Sequence, residues 1–322
     1  MSRRFYIVDV FAEEKYAGNQ LAVIRDAGDL QPTEMQKIAR ETNYSETTFI
    51  MADTPRDGGY DVRIFTPERE IPFAGHPTLG TAFVIRREIE GRREAEGRCG
   101  SASRGRASVP PDDASGMTLG VTLNLKAGRI PVTFGAATGG MAGASEVLWM
   151  KQLAPSFGDR LEPGPLLEAV GLSDTDLDDR FPVQEVSTGL PFIIAPLNSL
   201  RAVKKARVER EKFREVIDRT EAKDILLFCP ETYRRENHLN VRVFAEYQGV
   251  PEDPATGSAN GCLAGYLVKH RYFGGDRIDV RVEQGYEIGR PSLLLLKAEE
   301  RGGAIDVFVG GKVLMVARGE LV

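Results

Sequence analysis

Cysteine and histidine are scarce in this sequence, which has only three of each among its 322 residues. The cysteines form no C-x-x-C pair, and they are too few and too scattered for a disulfide framework. The histidines and cysteines together show no zinc-ligand spacing, so we expect a metal-free protein. These residues are Cys99, Cys229, Cys262, His76, His238 and His270.

Long apolar runs and a strong charge of one sign are also absent. No run approaches the roughly 20 residues that a membrane-spanning helix needs. Near the start, Asp9 interrupts the apolar residues that follow Arg3 and Arg4, which predicts a first strand and not a signal peptide. The formal net charge is −5, with lysine and arginine scattered except in one loop. We therefore predict a cytoplasmic protein that binds neither membranes nor nucleic acids.

Two stretches of the sequence look like copies of one another. In the first, residues 62–65 read V-R-I-F, and residues 74–80 read A-G-H-P-T-L-G. In the second, residues 241–244 read V-R-V-F, and residues 253–259 read D-P-A-T-G-S-A. Each copy predicts a strand, a loop containing proline, and then a small-residue turn that opens into an apolar helix.

A strand that leads into a helix N-terminus rich in small residues is a common way to build an anion pocket. Backbone N–H groups and the helix dipole then face the ligand. Two such helix starts suggest two similar halves of the protein that face one site. No G-x-S-x-G elbow, Walker A loop or G-x-G-x-x-G loop offers a different chemistry.

The fold class predicted from this pattern is α+β. Each half is mostly strand with one apolar helix, and small residues such as Gly80, Ala82, Gly261, Ala264 and Gly265 would let strands approach that helix closely. We therefore expect a barrel-like sheet around a central helix in each half. The predicted halves are residues 1–130, with a C-terminal strand near 306–322 returning to them, and residues 131–305. A polar stretch at 91–116 is predicted to be an exposed loop.

Local signals place the main elements along the chain. Residues 18–20 are predicted to form a turn between strands at 5–11 and 21–24. Further strands are expected, among others, at 47–51, 118–125, 129–134 and 146–151, with two separate C-terminal strands at 304–309 and 312–317. Helices are predicted at 33–41, 77–88, 162–171, 207–219 and 256–270.

Three ionisable residues are candidates for chemistry, and each also has a purely structural interpretation. Glu46 lies between a predicted helix and a strand, where it is either a surface charge or a general acid–base directed into a cleft. His76 stands at a helix start, either packed or as a neutral hydrogen-bonding group in the site. Asp253 precedes Pro254 as a turn or cap residue or as a site residue. Residues 256–259, T-G-S-A, form either a tight turn or an anion pocket.

These motifs resemble those of the phenazine-biosynthesis PhzF-like proteins. The resemblance rests on N-Y-S-E-T-T-F at 43–49, A-G-H-P-T-L-G at 74–80 and D-P-A-T-G-S-A at 253–259. Two further blocks match, namely D-V-F at 9–11 with G-N-Q-L-A-V at 18–23, and S-T-G-L-P at 187–191. The blocks occur in order over nearly the whole chain, with residues 91–116 outside them.

The resemblance implies a diaminopimelate epimerase-like fold, with two pseudo-symmetric domains and the site between them. It also implies a cofactor-free isomerase in which Glu46 moves a proton between two carbons of a small carboxylate-bearing substrate. The phenazine precursor trans-2,3-dihydro-3-hydroxyanthranilate is the candidate substrate, and His76 and Asp253 would hold its polar groups. The resemblance also implies a homodimer. The substrate-binding positions that we expect are Asn19, Gly75, Gly189, Thr256, Gly257 and Ser258.

Two other functions remain open at this point. The first is an amino-acid racemase or epimerase that uses Glu46 and a second base. A two-thiol version is disfavoured, because Ala74 and Ala255 stand where the epimerases carry cysteines, and Cys262 is expected to be a buried packing residue. The second is a non-catalytic protein that binds a carboxylate ligand and leaves it unchanged.

Overall fold

The structure is a computed structural model that describes residues 2–91, 117–135 and 146–322. The predicted polar loop at 91–116, apart from residue 91, and Cys99 lie outside the described residues. The contacts divide the chain into two compact units. The first unit comprises residues 1–16, 20–150 and 311–322, and the second comprises residues 17–19 and 151–310.

These boundaries differ from the predicted ones at 130 and 305. The first unit continues to Met150 because three consecutive antiparallel strands pair with one another across residue 130, namely β6 (Met117–Leu125), β7 (Gly128–Gly135) and β8 (Val147–Lys151). A boundary there would separate strands that share ladder hydrogen bonds.

The first unit contains an eight-stranded ring. The pairings run β17–β1–β2–β3–β4–β6–β7–β8 and return to β17. Of these, β2–β3 and β4–β6 are parallel, while β1–β17, β3–β4, β6–β7 and β7–β8 are antiparallel. The strands are β1 (Arg3–Val10), β2 (Asn19–Ile24), β3 (Thr47–Ile50), β4 (Tyr60–Phe65), the short β5 (Glu70–Ile71), β6 (Met117–Leu125), β7 (Gly128–Gly135), β8 (Val147–Lys151) and β17 (Ala304–Leu321).

A buried helix, α2 (Gly75–Val84), packs against β1, β3, β6 and β7 of this ring. Its small residues allow the strands to come close. A Cβ on Gly80 would lie 2.6 Å from Leu21 and 2.9 Å from Val10. The helix then continues as a π-helical segment over Ile85–Glu90. On another face of the sheet, α1 (Pro32–Thr42) packs Met35 and Ala39 against strand residues such as Phe49.

The second unit repeats the same pairing scheme. Its order is β9–β10–β11–β12–β13–β15–β16–β17, with β11–β12 and β13–β15 parallel and the other pairs antiparallel. The strands are β9 (Ser156–Arg160), β10 (Gln184–Ser187), β11 (Pro191–Pro196), β12 (Asp224–Cys229), β13 (Leu239–Ala245), β14 (Val250–Asp253), β15 (Arg277–Gln284) and β16 (Ser292–Arg301), with residues 304–310 of β17. In both units, therefore, a parallel step, an antiparallel pair and a second parallel step follow one another in the same order.

The central helix of the second unit is α6 (Gly257–Lys269), of which every residue but Lys269 is buried. It packs against β10, β11, β15 and β16. Three shorter helices form a separate core with the sheet around Leu167, Val203 and Phe213. They are α3 (Pro163–Ala169), α4 (Leu200–Lys205) and α5 (Arg210–Ile217). The predicted arrangement of a sheet around a central helix is thus present in each unit.

Some local predictions were wrong. The two predicted C-terminal strands are one strand, β17, because the glycines at 310 and 311 keep extended backbone and do not turn the chain. Only Gly18 of the predicted 18–20 turn has positive φ, at 69°, and Asn19 already begins β2. Strands β9, β14 and β15 were not predicted, although β15 alternates cleanly as R-I-D-V-R-V-E-Q.

Candidate active site

Glu46 lies in the first unit, where α1 gives way to β3. The helix ends at Asn43, which adopts the left-handed conformation with φ 55° and ψ 29°, a common way to terminate a helix. Three residues later Glu46 directly precedes Thr47, the first residue of β3. Its side chain is 16% exposed, so the carboxylate is largely but not fully removed from solvent.

His76 is the second residue of α2 and is buried. Its Nε2 lies 3.4 Å from Oε2 of Glu46. Burial lowers the pKa of His76 to about 3, and a hydrogen bond with the backbone of Gln20 opposes this effect only in part. The imidazole is therefore neutral near pH 7, and its contact with Glu46 is not a pair of opposite charges.

Threonine hydroxyls join the segments that carry these two side chains. Thr48 of β3 and Thr81 of α2 share a buried hydrogen bond of 2.8 Å. Thr47 is hydrogen-bonded in the same way to Thr42, at the end of α1, at 2.7 Å. These bonds fix β3 relative to both helices, so the Glu46–His76 contact is set by secondary structure on each side.

Asp253 lies at the end of β14 in the second unit and is buried. Asn19 Nδ2 donates to Oδ1 of Asp253 at 2.9 Å, and the hydroxyl of Thr256 donates to Oδ2 at 2.5 Å. Burial raises the pKa of Asp253, while the hydrogen bonds from Thr256 and Asn19 act in the opposite direction. Three residues that the sequence analysis selected therefore form one hydrogen-bonded group.

The N-terminus of α6 follows directly. Thr256 is its N-cap, and Gly257 and Ser258 are its first two residues, both buried. The first N–H groups of a helix have no partner within the helix, and with the helix dipole they favour a bound carboxylate. The T-G-S-A residues thus form the start of a helix, and anion binding at this end of α6 stays a prediction.

A buried glutamine also holds this helix end. Gln152 Nε2 donates to the backbone oxygen of Gly257 at 2.9 Å, and its Oε1 accepts from the Thr188 hydroxyl at 2.6 Å. A Cβ on Gly261 would lie 1.9 Å from that same oxygen, so any larger residue there would have to displace the Gln152 amide. Gly189, next to Thr188, has φ 121° and forms the turn between β10 and β11.

The described cysteines are poor candidates for thiol chemistry. Burial raises the pKa of both Cys229 and Cys262 to about 12. Ala74 is the N-cap of α2, and Ala255 comes just before the N-cap of α6. Neither helix start thus offers the thiol that a two-cysteine racemase needs.

The structure thus brings Glu46 into contact with His76, which follows Gly75 in α2, and it joins Asn19, Asp253 and Thr256 beside Gly257. The roles of these residues remain predictions. Sequence reasoning missed Gln152 and Gln284, which bond to the start of α6. Gln284 ends the alternating strand β15 just before a glycine, and that pattern could have drawn attention to it.

Within the described ranges, no group of three or more histidine, cysteine, aspartate or glutamate side chains could hold a metal ion. In the same part of the chain, no helix combines the length and the apolar character that crossing a membrane requires.

Comparison with known proteins gives a consistent result. The profile of the PhzC-PhzF family, described as phenazine biosynthesis-like protein, matches residues 8–100 and 99–319. The trans-2,3-dihydro-3-hydroxyanthranilate isomerase of Pseudomonas aeruginosa is 32% identical over 322 residues, covering 99% of each chain. A solved PhzF-family protein of Bacillus anthracis superposes with a TM-score of 0.82 at 25% identity, covering 100% of this chain and 99% of that one.

A more distant structure extends the comparison of the fold. A probable proline racemase of Agrobacterium radiobacter superposes with a TM-score of 0.56 at 10% identity, covering 99% of this chain and 93% of that one. The predicted α+β, diaminopimelate epimerase-like fold is thereby confirmed.

Proposed function

Because this chain belongs to the PhzC-PhzF family of phenazine biosynthesis-like proteins and is an isomerase, we propose that it moves a proton on a small carboxylate-bearing substrate without a cofactor. The proposed substrate is trans-2,3-dihydro-3-hydroxyanthranilate, after the relative that is 32% identical over nearly its whole length. Glu46 is the proposed acid–base.

The observation that carries this proposal is the contact between Glu46 and His76. A carboxylate that is 16% exposed lies 3.4 Å from a buried imidazole whose lowered pKa keeps it uncharged near pH 7. A neutral neighbour does not hold the carboxylate in a permanent ion pair. Glu46 can therefore bind and release a proton without separating from a fixed positive charge, as a general acid–base must.

The proposed reaction needs one base and conserves every atom. The Glu46 carboxylate removes a proton from one substrate carbon, and the electron pair of the broken C–H bond moves into the adjacent π system. The protonated Glu46 then delivers its proton to another carbon. The product is an isomer of the substrate, and the carboxylate is regenerated.

The second unit supplies the proposed binding groups. The backbone N–H groups at Gly257 and Ser258 suit the substrate carboxylate, because they begin a helix of 13 residues. The Asp253 carboxylate suits a polar hydrogen of the substrate, because both of its oxygens are arranged as acceptors. We propose that these groups and the Glu46–His76 pair are all required for turnover.

Incubation with trans-2,3-dihydro-3-hydroxyanthranilate in deuterated water tests the reaction directly. We expect an isomerised product, followed by NMR and mass spectrometry, with solvent deuterium at the carbon that receives the proton to the extent that the protonated Glu46, whose side chain is 16% exposed, exchanges with solvent before it delivers its proton. Glu46→Gln should lower kcat/KM by about 10²–10⁴-fold, the factor that a general acid–base contributes to the rate. Glu41→Gln, at an exposed position on α1, is the matched control and should retain turnover.

The outcomes separate the alternatives. A well-folded Glu46→Gln protein that keeps the wild-type rate would refute the role of Glu46. Inversion of a stereocentre with deuterium incorporation would indicate the racemase. Binding of the substrate without exchange, and with equal affinity in Glu46→Gln, would indicate the non-catalytic binder. The expected homodimer and cytoplasmic location stay predictions, and light scattering with size-exclusion chromatography tests the first.

A further inference from the structure

Gln284 is a buried side chain whose amide orientation is determined by two backbone groups. Its Oε1 lies 3.2 Å from the backbone N–H of Thr256, which can only donate. Its Nε2 lies 2.8 Å from the backbone oxygen of Asp253, which can only accept. The amide cannot be reversed without breaking both bonds.

This orientation also determines the direction of the Thr256 hydroxyl. Gln284 Nε2 lies 3.1 Å from Oγ1 of Thr256 and has to be the donor in that contact. The hydroxyl therefore accepts from Gln284 and directs its own proton to Oδ2 of Asp253. On the other side of the amide, Asn260 Nδ2 donates to Gln284 Oε1 at 2.9 Å. The result is a chain of hydrogen bonds with a single direction that ends on Asp253.

The second oxygen of Asp253 meets a donor that is determined in the same way. Asn19 Nδ2 contacts both Oδ1 of Asp253, at 2.9 Å, and the backbone oxygen of Ala255, at 3.0 Å. Because the backbone oxygen can only accept, this atom must be the amide nitrogen. Both carboxylate oxygens of Asp253 thus accept hydrogen bonds, the arrangement that suits an ionised carboxylate.

We propose that Gln284 is a positioning residue for the isomerase reaction, which clamps residues 253–256 so that Thr256 and Asn19 present Asp253 to the substrate as an ionised hydrogen-bond acceptor. The role for the reaction rests on the proposed function, whereas the effect on Asp253 can be measured without turnover. Gln284 touches no substrate in this account and acts through Thr256 and the backbone of Asp253.

Few charged groups face Asp253. Its neighbour Glu252 raises the pKa of Asp253, but Glu252 itself is paired with Arg242 through a buried bidentate contact, at 2.9 and 2.6 Å. The other groups that affect Asp253 are the neutral donors Thr256 and Asn19. The ionisation of Asp253 therefore depends chiefly on burial, which opposes it, and on these two donors, which favour it.

The test is an NMR titration of the Asp253 carboxyl carbon in the full-length protein without substrate, with the signal identified by its loss in Asp253→Asn. Thr256→Val, which keeps the shape but lacks the hydroxyl, should raise the pKa of Asp253, because the hydrogen bond that favours the ionised carboxylate is lost. Thr256→Ser keeps the hydroxyl and should restore the wild-type value. Gln284→Met should raise the same pKa, because the clamp on Thr256 is lost.

The double variant Thr256→Val with Gln284→Met decides whether Gln284 acts through Thr256. We expect its pKa shift to be smaller than the sum of the two single shifts, since residues that act on Asp253 through one hydrogen-bond network are not additive. Fully additive shifts, or an unchanged pKa in Thr256→Val, would overturn the proposal. Gln184→Met is the matched control for Gln284→Met, because the Gln184 amide bonds instead to Gly158 and His270, and it should leave Asp253 unaffected.

Activity provides a separate readout. If the wild-type enzyme turns over the substrate, the kcat/KM of Gln284→Met should fall off at a higher pH than that of the wild type. This move of the acidic limb should follow the raised pKa of Asp253. A loss of activity that is equal at every pH would indicate a merely structural role for Gln284 and would refute the proposal that Gln284 positions Asp253. If the substrate is not turned over but the Asp253 shifts occur, the proposed reaction fails and the hydrogen-bond arrangement stands.

Discussion

The buried His76 should make the stability of this protein depend on pH in a way that one substitution removes. Its pKa is lowered from 6.5 to about 3 in the folded protein. Between these two values the unfolded chain binds a proton at His76 and the folded protein does not. Folding stability therefore rises with pH across this window, and the contribution is lost as the pH falls from 6.5 toward 3.

The size of the effect follows from the two pKa values. Between pH 7 and pH 5, protonation of His76 in the unfolded chain should remove about 2 kcal/mol from the free energy of unfolding. The loss is nearly linear below pH 6, at about 1.4 kcal/mol per pH unit. That is a substantial part of the stability of an ordinary domain.

Urea unfolding of the wild-type protein and of His76→Gln at pH 5, 6 and 7 measures this contribution. Other titrating groups act on both proteins, so the difference between their free energies of unfolding isolates His76. We expect the advantage of the wild type over His76→Gln to shrink by about 2 kcal/mol from pH 7 to pH 5. A difference that stays constant over this range would mean that the imidazole protonates readily in the folded protein, and the account of a neutral His76 beside Glu46 would be wrong.

Three further predictions concern packing, a buried ion pair and thiol reactivity. In thermal melts, Gly261→Ala should destabilise the protein by about 1–3 kcal/mol, because the new Cβ meets the side-chain oxygen of Gln152 at 1.9 Å. Gly164→Ala, in open space on α3, is the control and should be neutral or stabilising. Arg242→Met should lower the free energy of unfolding by about 3–5 kcal/mol, because it leaves the buried Glu252 carboxylate uncompensated; the side chains of this pair are only 5% and 8% exposed. Arg63→Met should cost only about 1 kcal/mol, because Arg63 and Glu70 are 27% and 20% exposed. Equal losses of the two variants in denaturant unfolding would contradict this difference. Cys262, whose pKa burial raises to about 12, should resist iodoacetamide at pH 8 in the native protein and react after unfolding. Peptide mapping measures the labelling, and rapid labelling of the native protein would disprove the burial of Cys262.

Much of the fold could be read from local sequence signals. The repeated V-R-(I/V)-F pattern identified β4 and β13, and the runs of small residues identified the buried helices α2 and α6. These signals are strong because strand alternation and helix composition depend on neighbouring residues. The single strand β17 was misread because Gly310 and Gly311 are compatible with either a turn or extended backbone, and only pairing with other strands decides between them.

In the candidate site, too, some features follow from the local sequence and others only from the tertiary structure. The sequence by itself determined which residues are candidates for the chemistry, namely Glu46, His76 and Asp253, since each lies in a recognisable local motif. Only the tertiary structure decided that Glu46 contacts a neutral His76 and that Asn19 donates to Asp253, 234 positions away. Only the tertiary structure likewise showed that the buried Gln284 amide clamps residues 253–256. A hydrogen bond between residues so far apart leaves no local pattern, because the folded backbone alone brings donor and acceptor together.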